Sequence, residues 1–190
     1  MIKSFAIYRL PGDSCCTLME QDGEPIVLRS ISDLNGRAGF VLAPFTPTPE
    51  SPLLLLEPEK VTTMTIGQMS CNVLPKACMD NAPQKPLLEG RNSYAIDFAS
   101  FHAQLMEGYF QKLVLARNVF VSGIVKTPVD LFRQACECYP QAFVAMASTP
   151  LSGTWLMATP EILLEGQGGG MAHNGFGRHN GGPPLIPPRG

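Results

Sequence analysis

Nothing in this chain approaches the roughly 20 consecutive apolar residues a membrane-spanning helix needs. The leucine run Leu53–Leu56 is short and bracketed by prolines. Charge of one sign is also lacking: the formal net charge is −2, which gives no electrostatic case for nucleic acid or an anionic membrane as partner. The N-terminus, MIKSFAIYRLPGDS, has a single lysine and no long apolar segment, so no secretory signal is expected. Paired CxxC motifs are absent. The six cysteines, Cys15, Cys16, Cys71, Cys78, Cys136 and Cys138, read as reduced thiols of a cytoplasmic protein. Cys136 and Cys138 with His102 or His173 do not have the ligand spacing zinc sites favour, so no metal is assigned to them. What is present is enough to fold: 190 residues at 45% hydrophobic can bury one substantial core.

The first forty-odd residues read as hairpin-rich. Phe5–Tyr8, Cys16–Glu20 and Ile26–Leu28 are candidate strands, with Pro11-Gly12 and Asp22-Gly23 as turns. Gly36–Leu42 reads as a further buried strand, Pro44–Pro52 as a surface loop, and Pro75–Pro86 as a connector. From Ser93 the pattern turns helical. Phe98, Phe101, Leu105 and Met106 recur at helical spacing, Ser93 or Asp97 serves as cap, and Gly108 stops the helix. A strand over Gln111–Val121 follows. Next comes a helix opened by Thr127-Pro128 and running to about Tyr139, with an apolar stripe of Leu131, Phe132, Ala135 and Cys138. Ala142–Ala147 and Thr154–Met157 form a hairpin through Thr149–Gly153. This order predicts an α+β fold with helices packed on one side of a largely antiparallel sheet.

Two charged positions stand out. In a strand reading of Tyr109–Arg117, Lys112 shares a face with Val114 and Ala116, while Leu113, Leu115 and Arg117 face the other way. A lysine in an apolar strand is costly unless it reaches solvent or is held in a polar site. Glu161 follows Pro160 at the mouth of the apolar run Ile162–Leu164. A lysine and a carboxylate brought together by a sheet form a base and acid pair; the alternative is two solvated charges at strand ends.

YFQKLVLAR at Tyr109–Arg117, PQAFVAMA at Pro140–Ala147 and TWLMATPEILLEG at Thr154–Gly166 resemble consecutive motifs of the chorismate-utilising enzymes, and most of all isochorismate synthase. The resemblance runs from about Ile96 to Gly169, and GRAGFVLAPF at Gly36–Phe45 resembles the variable N-terminal region of these enzymes more loosely. It implies the N-terminal portion of the anthranilate synthase component I-like fold, incomplete at its C-terminus. Residues 1–90 would be the variable β-rich region and 91–169 the first part of the chorismate-binding domain. It also implies conversion of chorismate to isochorismate, with Lys112 as general base and Glu161 as general acid. Anthranilate and aminodeoxychorismate synthases usually carry glutamine where Lys112 stands. Salicylate synthase shares the lysine and stays open as an alternative, as does a non-catalytic fragment. The resembled enzymes are monomeric and need magnesium, held by glutamates of the C-terminal half whose motifs this chain lacks. The 190-residue chain is therefore expected to be inactive and to bind no magnesium. The pathway served is either menaquinone or siderophore biosynthesis, and the N-terminal similarity leans to menaquinone.

After Gly168 the composition changes abruptly to GGMAHNGFGRHNGGPPLIPPRG, which reads as a disordered tail over 170–190. Neither His173 nor His179 has the spacing or acidic neighbours of a metal tract. The codons permitted from Gly170 onward, read one base later, allow EWHTMALAGTMA. That string contains ALAGT, the motif that follows ATPE in isochorismate synthases. One extra base near Gly168–Gly170 would leave the tail as out-of-frame translation.

Overall fold

The computed structural model describes residues 3–70, 72–76, 91–116, 126–160, 165–167 and 170–172, the last two stretches as backbone alone. The chain divides into two compact units, Met1–Asp80 with Lys126–Gly190, and Asn81–Val125.

The first unit is built on β1 (Lys3–Arg9), whose residues Ser4–Ile7 are all buried. It lies at the centre of a five-stranded sheet of order β6-β2-β1-β7-β8. The partners are β2 (Cys15–Asp22), β6 (Lys60–Thr65), β7 (Phe143–Thr149) and β8 (Gly153–Thr159), and every pairing is antiparallel. Alternation of side chains across the strand explains how both faces are used. Phe5 and Ile7 pack with Leu18, Val144 and Met146 against Val129, Phe132 and Cys136 of α2 (Pro128–Cys138). Ala6 packs on the opposite face with Ala147 and Leu56, joined by Phe40 and Leu42. These last three come from a three-stranded antiparallel sheet, β3 (Ile26–Leu28), β5 (Leu53–Leu56) and β4 (Phe40–Leu42), with β5 in the middle. The unit is thus helix, sheet, sheet. The α+β class holds, with helix α2 on one face of the main sheet and a second sheet on the other.

The strands read at Phe5–Tyr8, Cys16–Glu20 and Ile26–Leu28 are present, as are the turns at Gly12 and Gly23, both with positive φ (79° and 86°). The hairpin over Ala142–Met157 is also found, as β7 and β8. The strand expected at Gly36–Leu42 shrinks to Phe40–Leu42. The residues before it turn instead: a 3-10 turn covers Ile31–Leu34, the Arg37 N–H donates to the Leu34 carbonyl (3.0 Å), and Gly36 takes a positive φ of 75° that a strand does not use. Leu53–Leu56, unassigned in sequence, is a strand buried on both faces: Leu56 meets the main sheet, while Leu53 and Leu55 pack with Leu28 and Leu34. A short, wholly apolar run bounded by turn residues is the pattern of such a strand.

Gly39 shows how closely β4 and β5 approach. A Cβ there would lie 2.1 Å from the Leu56 carbonyl oxygen and 2.9 Å from Leu55 Cδ1. Backbone cannot yield as a side-chain tip can, so Gly39→Ala is expected to cost roughly 1–3 kcal/mol, the usual range for overpacking. The measurement is the urea midpoint. An unchanged midpoint would mean that β4 shifts off β5 without loss.

Helix α2 starts as its sequence predicts. Thr127 is the N-cap, its Oγ1 accepts from the Asp130 N–H (3.2 Å), and Asp130 reaches back to the Thr127 N–H and hydroxyl. These bonds hold the Asp130 carboxyl below its usual pKa. The buried face is Val129, Phe132 and Cys136, with Leu131 and Ala135 half-buried, whereas Cys138 of the expected stripe is exposed.

In the second unit, α1 spans Arg91–Met106, so Ser93 and Asp97 lie inside the helix and not at its start. Gly108, at φ 77°, turns the chain and donates its N–H to the Leu105 carbonyl (3.1 Å). Of the expected apolar positions, Phe101 and Leu105 are half-buried, and Phe98 and Met106 are exposed. Finally, Glu165–Gln167 (β9) pairs with Gly170–Ala172 (β10). The first three residues of the stretch read as a disordered tail therefore form a strand, since backbone pairing needs no apolar side chains. Residues 173–190 lie outside the described residues.

Candidate functional site

Lys112 follows the Gly108 turn in a segment, 111–116, that forms no strand, which corrects the start of the strand expected over Gln111–Val121. Residues 117–121, Arg117 among them, lie outside the described residues. The alternation foreseen for a strand survives without sheet pairing. Lys112, Val114 and Ala116 are exposed, while Leu113 and Leu115 are half-buried. An extended chain has this period whether or not it is paired. Lys112 thus shares its face with Val114 and Ala116, as expected, but that face meets solvent. Glu161 lies outside the described residues, two positions beyond the end of β8 at Thr159. The proposed base and acid are therefore not placed relative to each other.

Among the described residues the most heavily buried charge is Arg9, which carries no motif in the sequence. Arg9, at the end of β1, is 2% exposed. Its guanidinium donates to the carbonyls of Tyr139 (2.6 Å), Ala142 (3.0 Å) and Pro140. Tyr139 is the C-cap of α2, so the cation sits where the last carbonyls of a helix concentrate negative partial charge. Only Nε lacks a hydrogen-bond partner among the described residues. The legible signal was phase: Arg9 falls in step with Phe5 and Ile7, the side of β1 that faces α2. Its three carbonyl bonds fall at one junction and its guanidinium also faces the Cys136 thiol of α2, which makes it a structural tie between β1 and the α2–β7 connection.

Two thiols lie in the same core. Burial pushes Cys16 up to about 11, with Cys136 and Cys15 adding to the shift. Burial also raises Cys136, against the pull of the Arg9 guanidinium. Thiols so shifted stay protonated at neutral pH and are poor nucleophiles. The Cys16 thiol instead donates to the Met64 carbonyl (3.5 Å) and approaches the Met69 sulfur (3.7 Å). His102 stacks on Phe98, one helical turn earlier, at 5.9 Å; His173 lies outside the described residues. Among the described residues no three His, Cys, Asp or Glu side chains converge as a metal site.

A second feature not legible in sequence is a cavity of about 520 Å3. It lies within the first unit, between β4 with the loop after it and the β7–β8 hairpin, and its walls include Leu42, Leu54, Trp155 and Met157. Compared with family models, curated proteins and solved structures, the chain matches none.

Proposed function

We propose that this chain is the N-terminal part of a chorismate-utilising enzyme of the isochorismate synthase type, with Lys112 as general base and Glu161 as general acid. The observation that carries the reading is the ordered series YFQKLVLAR, PQAFVAMA and TWLMATPEILLEG, with lysine and not glutamine at 112. An antiparallel α+β unit that includes the second and most of the third of these segments is compatible with it.

In the proposed chemistry, Lys112 takes a proton from water as the water oxygen bonds to the ring carbon beside the carboxyl-bearing carbon. Both ring double bonds shift by one position, and the 4-hydroxyl departs as water with the proton supplied by Glu161. Base and acid act on opposite ring faces.

The 190-residue polypeptide alone is expected to give no isochorismate from chorismate, with or without magnesium, because ring-holding and charge-stabilising groups contribute many powers of ten in rate. Turnover above background in a coupled assay of the purified chain would overturn that expectation. The coding DNA supplies the complementary test. Removing one base near the Gly168 codon should restore ALAGT, followed by a long continuation with magnesium-binding glutamates. A stop soon after ALAGT would count against the shifted frame.

A further inference from the structure

We propose that the cavity beside Trp155 binds a small organic cation with an apolar body, of the aryl-alkylammonium class. At about 520 Å3 it falls within the range of small-molecule sites. Among the described residues its lining is mostly aliphatic, with one indole, two serine residues and a single ionisable side chain, Glu50, and no lysine or arginine. Both polar ends are held in place. Glu50 occupies a turn closed by reciprocal backbone bonds, Thr48 N–H to the Ser51 carbonyl (3.0 Å) and Ser51 N–H to the Thr48 carbonyl (3.1 Å). The Ser51 N–H also donates to Thr48 Oγ1 (3.1 Å). The Trp155 ring is fixed by its Nε1–H, which donates to the Ser152 carbonyl (2.7 Å), yet the side chain is 60% exposed.

An accessible indole attracts a cation through the negative potential of its face, and an unopposed carboxylate selects for positive charge. The apolar walls, Leu42, Leu54 and Met157, then accept the body of the ligand. A dicarboxylate such as chorismate has the wrong charge for this lining, so the site is distinct from the chemistry proposed for Lys112 and Glu161 and does not depend on it.

Trp155 is the chain's one tryptophan, so its fluorescence reports on this cavity alone. Benzyltrimethylammonium, whose charge does not vary with pH, is titrated into the full chain at constant ionic strength, with benzyl alcohol and phenylacetate as neutral and anionic counterparts. The expected result is a saturable change with the cation. Affinity should fall roughly threefold to tenfold in Glu50→Gln, the size of losing one partly screened charge contact, and both counterparts should bind more weakly still. Glu50 is exposed, so this variant folds as the parent does. No saturable change, equal binding of phenylacetate, or an unchanged affinity in Glu50→Gln would each overturn the proposal.

Discussion

Arg9→Ala is expected to remove roughly 3–5 kcal/mol of stability, a large share of what a domain of this size holds. Two losses combine. The first is volume, since Arg9 is among the largest fully buried side chains and its truncation leaves a void beneath α2. The second is hydrogen bonding, and it is uneven. The Pro140 carbonyl keeps the Gly12 N–H (2.9 Å) and the Tyr139 carbonyl keeps the Ala142 N–H (3.1 Å) after the guanidinium is gone. Ala142 has no such substitute donor among these contacts, so its carbonyl bears most of the cost, about 1–3 kcal/mol for a buried unsatisfied acceptor.

Arg9→Met separates the two effects, because it fills most of the volume and removes the buried charge. It should be milder than Arg9→Ala by about 2 kcal/mol, since both variants lose the charge and its hydrogen bonds but only methionine refills the void. Urea unfolding followed by circular dichroism gives both numbers. If Arg9→Ala fell within 1 kcal/mol of the parent, the tie between β1 and the α2–β7 connection would carry no such weight.

The largest effect on rate belongs to Lys112. In a protein that continues this chain through the restored frame, Lys112→Ala should lower turnover by roughly 10²–10⁴-fold, the range for a positioned general base. Glu161→Gln should cost a comparable factor, because it keeps the shape and loses the proton, with chorismate binding largely intact. Lys112 is exposed, so its replacement should change stability by no more than about 1 kcal/mol, the most a surface contact usually contributes. Loss of rate with an unchanged unfolding midpoint therefore separates chemistry from misfolding. Near-normal turnover in Lys112→Ala, with Arg117→Ala inactive but folded, would move the base elsewhere.

Local pattern carried much of the architecture. The alternation in Phe5–Tyr8, the turns at Gly12 and Gly23, and the Thr127-Pro128 helix start are each legible because their cause lies within a few residues. Gly36–Leu42 forms strand only from Phe40 because Gly36 takes a positive φ and Arg37 closes a turn onto Leu34, which apolar composition alone does not show. Leu53–Leu56 lacks the alternation that marks a half-buried strand because β5 is covered on both faces.

The sequence by itself determined the α+β class, the capping of α2, the shared face of Lys112, Val114 and Ala116, and the motif order on which the functional reading rests. These depend on short-range periodicity and residue type. Only the tertiary structure decided that β1 pairs with β7 across more than a hundred residues, that Arg9 is buried against three carbonyls beyond α2, and that Glu50 and Trp155 line one cavity. Each of these joins segments far apart in the chain. Their partners are chosen by how two sheets and a helix bury apolar surface together, and no local pattern records that choice.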